Sequence, residues 1–285
     1  KLLTRPALMA QGLGWVARLA GARVPVLFRH GVREAEGEGL LRTVVIGPVD
    51  STGAHVDGRQ TRYAVATLVV GHGLVPGAEV PRLLRAAMRY DRTLGGHIPV
   101  LDPDGRTGMA GLYACGDGAG IRGAAVAVSS GRLAGLAAAR DGGVLGQERF
   151  AALAEPSRTA LARLQSFSGA MAAMMSLRPG QVAAITADTV VCRCEDVTRA
   201  EIEAAIDTGA TDVNQLKHFT RCGMGPCQGR MCGDVAAELL AVKTGATRES
   251  VGQWTARPPL RPVPMADLMG RFDYADIPIP RPAPL

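Results

Sequence analysis

The sequence has no long apolar run. None of its segments reaches the roughly 18 consecutive apolar residues that indicate a membrane-spanning helix. It also has no recognisable signal peptide, no internal repeat and few aromatic residues, which make up 4% of the chain. The net charge of +6 comes mainly from scattered arginines, and no basic run is interleaved with aromatic residues. These absences argue against a membrane span and against nucleic acid as a partner.

Cysteine is nearly absent outside one short stretch. Of the six cysteines, Cys115 lies alone, and the other five are Cys192, Cys194, Cys222, Cys227 and Cys232. A disulfide framework is disfavoured, because the first two of the five are too close to pair comfortably and most of the chain has no further cysteine. Clustered thiolates favour a metal centre, either structural zinc or an iron–sulfur cluster. The C-x-C pair fits the usual zinc spacing poorly, but spacing alone leaves both metals open.

Glycines separate the later cysteines. We expect them to let the backbone approach the inorganic sulfurs of a cluster, with exposed N–H groups donating hydrogen bonds to sulfur. Nearby, Arg221 and Arg230 either compensate the charge of the cluster or are simply exposed to solvent. The glycines concerned are Gly223, Gly225, Gly229 and Gly233.

Three short helices are predicted around the cysteines. Thr198 and Glu201 form a capping box at the start of the first helix, and Gly209 ends it. Asp212 caps the second, and the third follows Cys232 with its positive end toward the bound metal. The residues expected to face inward are Ile202, Ala205, Ile206, Val213, Leu216, Phe219, Val235, Leu239 and Leu240.

The amino-terminal half has the pattern of an α/β unit. Residues 106–117 read RTGMAGLYACGD, with a β-type run at 111–115 that enters a glycine turn. An Ala-rich helix is predicted from near Gly123 to about Arg140, and Cys115 is expected to be buried in the strand. This helix either packs against a bound cofactor or is a tightly packed core helix without any ligand. Upstream strands joined by polar turns are predicted within 24–37, 44–56 and 62–70.

Two strings around the cysteines carry a family resemblance. Residues 191–198 read VCRCEDVT, and residues 220–233 read TRCGMGPCQGRMCG. They resemble the [2Fe-2S] domain related to bacterioferritin-associated ferredoxin (BFD). The resemblance is greater to the version fused to flavoproteins such as opine oxidases, the hydrogen cyanide synthase B subunit, and the α subunits of proline and hydroxyproline dehydrogenases. The resemblance implies a [2Fe-2S] cluster in preference to zinc.

The same resemblance implies a ligand set. In the wider fused family, the positions that match Cys192, Cys194, Cys227 and Cys232 supply the ligands. The position that matches Cys222 can be alanine there. We therefore expect Cys222 to be a thiol beside the cluster that could substitute for a lost ligand.

Two further segments resemble flavoproteins with two dinucleotide-binding domains. Residues 106–117 resemble their second FAD-contacting segment, and residues 67–76, TLVVGHGLVP, resemble their interdomain crossover, with an apolar strand before a glycine turn. The resemblance implies that the carboxylate at 117 accepts a hydrogen bond from a ribityl hydroxyl. It also implies that the helix after it points its positive end at flavin or pyrophosphate oxygens. The candidate FAD-binding residues are Gly116, Asp117, Gly118, Gly123 and Ala124.

The resemblance implies an α/β fold: a partial two-dinucleotide-binding (Rossmann-like) flavoprotein fold followed by a small helical BFD-like [2Fe-2S] domain. We expect the carboxyl-terminal part of an FAD/NAD(P)-binding domain at 1–141, a helical linker at 142–188, the BFD-like domain at 189–246, and an extended proline-rich tail with an interface role at 247–285. No G-x-G-x-x-G follows an amino-terminal strand, and the chain begins at Lys1. We therefore expect part of a longer polypeptide, or a chain completed by another, with a partial FAD site. Whether a second nucleotide also binds stays open.

The expected function is that of an electron-transfer subunit in a multi-subunit FAD-dependent amine or amino-acid dehydrogenase of the opine, proline/hydroxyproline or glycine class. An FAD-containing, amino-acid-oxidase-like partner would oxidise the C–N bond, and electrons would pass through the cluster and FAD to an acceptor. The sequence shows no acid–base constellation for oxidising an amine, so no catalytic residue is assigned. Thiolate-bound clusters favour a reducing compartment, so we expect a cytoplasmic location, with any membrane association through a partner.

Two alternative functions are compatible with the same sequence. One is a self-contained NAD(P)H-dependent flavoprotein reductase, which would bleach its flavin on addition of NAD(P)H. The other is a non-catalytic Fe–S or zinc scaffold module, whose metal would never change redox state.

Overall fold

The computed structural model describes residues 6–270 and residue 275. The helices are α1 (Pro6–Gly21), α2 (Glu79–Leu83), α3 (Ala124–Asp141), α4 (Gln147–Met175), α5 (Pro179–Ala183), α6 (Arg199–Asp207), α7 (Val213–Thr220), α8 (Gly233–Thr244) and α9 (Met265–Leu268). The strands are β1 (His30–Glu36), β2 (Thr43–Pro48), β3 (Thr61–Ala64), β4 (Met88–Asp91), β5 (Gly96–Pro99), β6 (Val190–Cys192) and β7 (Val197–Thr198). Over this part of the chain, no helix has both the length and the apolar character required to cross a membrane.

Strands β1, β2 and β3 form an antiparallel sheet with β2 at its centre. The β-branched run of β2 places Val44 and Val45 in the interior, at 2% and 3% exposure. The register of β1 against β2 shifts between Val32 and Glu34, which marks a β-bulge. Each of the three strands overlaps a range predicted for a strand, although β2 and β3 each begin one residue earlier, so that part of the prediction is confirmed.

Helices α3 and α4 pack against each other next to the β4–β5 hairpin. Their shared core consists of Leu133, Ala137, Phe150 and Ala154. The predicted start of α3 is confirmed, because Gly123 is its N-cap and takes a φ of 90° that favours glycine. Helices α4 and α5 occupy much of the segment predicted as a helical linker, whose boundaries stay a prediction.

Two predicted strands are absent, and this changes the fold prediction. Residues 67–70 have no regular structure, and Val69 is 89% exposed. Residues 111–115 form a single bridge, between Arg106 and Tyr113. A strand needs neighbouring N–H and C=O groups to pair with, and no described strand lies beside either segment. Across residues 6–270 every strand pair is antiparallel, so the parallel strands of a Rossmann-like fold are not seen there.

The cysteine-rich part folds as α6, α7 and α8 with the β6–β7 hairpin. The predicted capping box is confirmed: Thr198 Oγ1 accepts from Glu201 N at 3.3 Å, and Glu201 Oε2 accepts from Thr198 N at 2.8 Å. Asp212 Oδ1 accepts from two backbone N–H groups at the start of α7, also as predicted. The core includes Val197, Ile202, Ala205, Ile206, Val213, Leu216, Leu239, Leu240, Val251 and Trp254.

Phe219 was predicted to face this core, and that prediction is wrong. Its side chain is 51% exposed, whereas Leu216, one turn earlier on α7, is fully buried. Helix α7 ends at Thr220 and the backbone turns left-handed at Arg221, with a φ of 62°. The last turn of α7 therefore lies beyond the apolar interior.

Ion pairs centred on the buried carboxylate of Glu238 join the β4–β5 hairpin to α8. Arg92 Nη2 lies 2.8 and 2.9 Å from the two carboxylate oxygens of Glu238, which is 4% exposed. Arg248 Nε donates to the same carboxylate at 3.0 Å, and its Nη2 donates to Asp234 Oδ1 at 3.0 Å. The Arg248 guanidinium also lies over the Tyr90 ring, 4.9 Å from its centroid. Removing one member of such a network would leave a buried charge unpaired, which typically costs about 3–5 kcal/mol.

The tail packs against its own chain at its beginning. Gln228 Nε2 donates to Pro259 O at 2.5 Å, and Arg230 donates to Leu260 O. The tail is not extended throughout, because α9 forms at Met265–Leu268. The second proline-rich run, 277–285, lies outside the described residues.

Candidate metal centre

Three cysteine thiols meet inside the small helical part. The sulfur atoms of Cys192, Cys222 and Cys232 all lie within 4.8 Å of one another, and each residue is at most 1% exposed. They come from the end of β6, the segment after α7, and the N-cap of α8. Segments up to 40 positions apart in sequence thus place three possible ligands in one dry interior.

The other two cysteines form a second pair beside the first three. Cys194 lies in the β6–β7 turn and is exposed, and Cys227 is half-buried in the loop before α8. The backbone N–H of Cys227 donates to the Cys194 sulfur and lowers its pKa. The Cys227 side chain and the nearby Cys192 outweigh this effect, so the pKa of Cys194 is raised. The structure therefore brings all five cysteines into one neighbourhood, with one edge open to solvent.

The loop before α8 stabilises a thiolate at Cys227. Burial raises the pKa of Cys227, but hydrogen bonds from the N–H groups of Met231, Gly229 and Arg230 and from Cys194 outweigh burial, and the net pKa is lowered. At Cys232 the balance is opposite, because the Cys222 side chain and burial raise the pKa of that thiol far above its usual range. A bound cation would reverse this, since metal binding requires deprotonated thiols.

A four-thiolate metal centre fits these residues on two observations. The donor set is entirely sulfur, which suits an iron–sulfur cluster or zinc and disfavours hard cations such as magnesium. The buried thiols also lie so close together that they would repel one another if all were ionised. A bound cation shared between them would remove this repulsion. Two of the four predicted ligands, Cys192 and Cys232, lie with Cys222, and the other two, Cys194 and Cys227, lie with each other.

The glycines of the cysteine loop make room for side chains, which was not predicted. A Cβ on Gly223, Gly229 or Gly233 would lie 3.0, 2.3 or 2.8 Å from the Trp254 indole. A Cβ on Gly225 would lie 2.1 Å from the Cβ of Cys194. These glycines therefore contact Trp254 and Cys194, and their approach to inorganic sulfurs stays a prediction.

Both arginines of the loop are engaged in ion pairs. Arg221 Nε donates to Glu195 Oε2 at 2.8 Å, although the arginine side chain is 67% exposed. Arg230 Nε donates to Glu79 Oε1 at 2.6 Å, and Arg230 Nη1 donates to Cys227 O at 3.0 Å. Arg230 therefore ties the cysteine loop to α2.

The candidate FAD-binding residues surround the start of α3. Gly116 begins a 3₁₀ turn, donates its N–H to Ser130 Oγ at 3.1 Å, and lines a cavity of about 750 Å³ between the β4–β5 hairpin, α3 and α4. Asp117, Gly123 and Ala124 are exposed and Gly118 is half-buried, and none of these four lines that cavity. Their role in binding FAD stays a prediction.

Cys115 was expected to be buried in a strand, but it is exposed. The reason is the same as for the missing strand at 111–115, since no sheet covers this segment. Trp254 and Glu238, which organise the cysteine loop and the junction with the hairpin, were not predicted from the sequence. The available signals were a tryptophan just before a proline-rich run and a glutamate within the apolar middle of α8. The spacing Gly118, Gly120 and Gly123 also fits G-x-G-x-x-G before a helix, but no strand precedes it.

Comparison with known proteins identifies relatives for most of this chain. Residues 186–271 match the family model described as the sarcosine oxidase A3 domain. The A subunit of opine oxidase from Rhizobium meliloti is 34% identical over 211 residues, 74% of this chain and 40% of that protein. Hydrogen cyanide synthase subunit HcnB of Pseudomonas protegens is 32% identical over 266 residues, 93% of this chain and 56% of that protein. The chain thus spans about half the length of these curated relatives, and the resemblance carried by the two cysteine strings is confirmed.

A solved structure shares the fold. The crystal structure of L-proline dehydrogenase from P. horikoshii superimposes with a TM-score of 0.64, covering 90% of this chain and 47% of that chain at 21% identity. The chain therefore has an α/β fold resembling that of the dehydrogenase. At this identity the likeness establishes the fold alone.

Replacing Gly229 by alanine should destabilise the cysteine loop strongly. Gly229 has a φ of 78°, and its new Cβ would lie 2.3 Å from Trp254 Cδ1. We expect Gly229→Ala to lower the free energy of unfolding by about 3 kcal/mol, measured by urea denaturation followed by circular dichroism.

Gly143→Ala is the matched control. Gly143 has a φ of 75°, and no atom lies within 4 Å of its new Cβ, so only the backbone strain remains. We expect a loss of about 1 kcal/mol for this variant. Equal losses for the two variants would show that contact with the indole does not hold the loop.

Proposed function

We propose, since this chain is a relative of the A subunit of opine oxidase and of hydrogen cyanide synthase subunit HcnB, that it is an electron-transfer subunit of a multi-subunit FAD-dependent amine or amino-acid dehydrogenase. Its partner would be an FAD-containing, amino-acid-oxidase-like subunit that oxidises a C–N bond. The substrate would belong to the opine, proline/hydroxyproline or glycine class. The names of the relatives as subunits, and the α/β fold of this chain, which resembles that of L-proline dehydrogenase, support this proposal.

The convergence of five cysteines is the observation that carries the proposal. Three of them are buried within 4.8 Å of one another, and Cys194 is exposed at the edge of the same group. A redox centre that exchanges electrons with another protein needs such an edge, whereas a purely structural metal can be fully enclosed. When bound, a [2Fe-2S] cluster would supply one-electron transfer, which lets two-electron flavin chemistry proceed in single steps.

Cys192, Cys194, Cys227 and Cys232 would hold this cluster. The N–H groups of Met231, Gly229 and Arg230 already donate to the Cys227 sulfur, and such donors help to set the reduction potential of a thiolate-bound cluster. Buried Cys222 would be a fifth thiol beside the four ligands. Its place among the buried thiols makes it able to replace a lost ligand.

The amino-terminal half would contribute a partial FAD site. The residues proposed to hold FAD are Gly116, Asp117, Gly118, Gly123 and Ala124, at the start of α3. The 18-residue α3 directs its positive end toward this segment, which suits an anionic pyrophosphate. FAD bound there would supply the two-electron step between the cluster and the acceptor.

Cysteine variants test the ligand assignment. With Cys222 also replaced by serine, we expect Cys192→Ser, Cys194→Ser, Cys227→Ser and Cys232→Ser each to lose iron and acid-labile sulfide, because a [2Fe-2S] cluster needs four thiolates and the spare thiol is then gone. Cys222→Ser should retain the cluster, and Cys115→Ser, which removes the cysteine outside the stretch, is the matched control. Loss of iron in Cys222→Ser together with retention in Cys194→Ser would reassign the fourth ligand.

The function itself is tested in the complex with its partner subunit. After anaerobic addition of proline, glycine or an opine, we expect an EPR signal of the reduced cluster in the co-purified complex. A metal site that stays silent while the partner oxidises substrate would indicate the scaffold alternative. Flavin bleaching by NAD(P)H without a partner would indicate a self-contained reductase.

A further inference from the structure

A small polar cavity lies beside the cysteine loop. Its volume is about 180 Å³, and it is enclosed by the segment around α2, the β4–β5 hairpin, the start of α8 and the residues around Trp254. Polar side chains that line it include Arg82, His97, Arg230, Arg248 and Trp254. The volume corresponds to roughly six water molecules at ~30 Å³ each, so the cavity can hold a small ligand.

Three buried hydrogen-bond donors on residues beside this cavity have no partner. In the described part of the chain, five buried side-chain nitrogen or oxygen atoms lack a hydrogen bond. Three of those five, Arg82 Nε, Arg248 Nη1 and Trp254 Nε1, belong to residues that line this cavity. Arg248 and Trp254 are only 7% and 5% exposed. Buried donors are rarely left unpaired in native proteins, and all three are N–H groups, so the missing partner is an acceptor.

The charges around the cavity favour an anion. Arg230 is paired with Glu79 at 2.6 Å, and Arg248 is paired with Asp234 at 3.0 Å. Arg82 forms no ion pair with any described residue. Its guanidinium therefore adds a positive charge that the two lining carboxylates, already paired, do not neutralise.

Two titratable groups respond to this positive charge. Burial, and after it the charges of Arg248 and Arg82, lower the pKa of His97 to about 4. Burial, followed by Arg257 and Arg82, also lowers the pKa of Lys217. In both groups the lowered pKa favours the neutral form, which adds no further positive charge near Arg82.

We propose that this cavity binds a small oxyanion, a phosphate group, through Arg82, Arg248 and Trp254. Three unpaired donors, one on α2 and two on the loop after α8, suit a tetrahedral group with several acceptor oxygens better than they suit a neutral ligand. Charge-assisted hydrogen bonds from two guanidinium groups supply the affinity. Because Gly229 and Gly233 of the cysteine loop line the same cavity, the bound anion would contact the segment that carries Cys227 and Cys232. The proposal does not depend on the function proposed above.

Calorimetric titration of the full chain with inorganic phosphate, in chloride buffer, tests this site. We expect saturable binding with one site per chain. Arg82→Gln should weaken it by roughly tenfold or more, because a hydrogen bond to a charged group is lost. Arg85→Gln is the matched control, since Arg85 is exposed three positions away and its loss removes the same charge from outside the cavity. Its affinity should be unchanged.

Trp254→Phe provides a second variant that keeps an aromatic ring against the glycines but removes the N–H donor. It should bind phosphate more weakly, with a circular dichroism spectrum like that of the unmodified chain. Phenyl phosphate separates two sources of the anion: binding to the same residues indicates the phosphate group of a larger molecule, and binding of inorganic phosphate alone indicates the free ion. No saturable binding of either compound at ~10 mM, or equal affinity in Arg82→Gln and the unmodified chain, would overturn the proposal and leave water as the occupant.

Discussion

Contact between the Trp254 indole and three glycines is the constraint on which the cysteine loop depends. Gly223, Gly229 and Gly233 each present a bare backbone face to the ring, and a Cβ at any of them would lie within 3.0 Å of it. The ring therefore fixes the path of the loop between Cys222 and α8. Because that path delivers Cys227 and Cys232 to the other thiols, a side chain outside the cysteine motif determines the geometry of the candidate metal centre.

The metal centre is also coupled to the amino-terminal half through charge. Arg230 in the cysteine loop bonds Glu79 of α2, and Glu238 of α8 bonds Arg92 and Arg248. Glu238 and Arg248 are buried, so leaving either of them without a partner would be costly. If the chain is the proposed electron-transfer subunit, such a junction would fix the distance between the proposed cluster and the proposed FAD site. The small cavity proposed to bind an anion lies at this junction, next to the same loop.

Local chemistry was predictable from the sequence, and long-range pairing was not. The capping box at Thr198 and the N-cap at Asp212 depend on residues a few positions away, and both are present as expected. The strand at 67–70 was predicted from β-branched residues, but a strand forms only where a neighbour pairs with it, and none is described there. The role of Trp254 depends on contacts 21 or more positions away, which no local pattern indicates. The prediction that Phe219 faces the core was wrong for a simpler reason, because α7 ends one residue later.

The central claim is that two distant loops deliver thiolates to a [2Fe-2S] cluster. Iron, zinc and acid-labile sulfide, measured on protein purified without oxygen, test this claim most directly. The account predicts two irons and two sulfides per chain, as a [2Fe-2S] cluster requires. One zinc per chain with no acid-labile sulfide would contradict it and leave a structural metal site in place of an electron carrier.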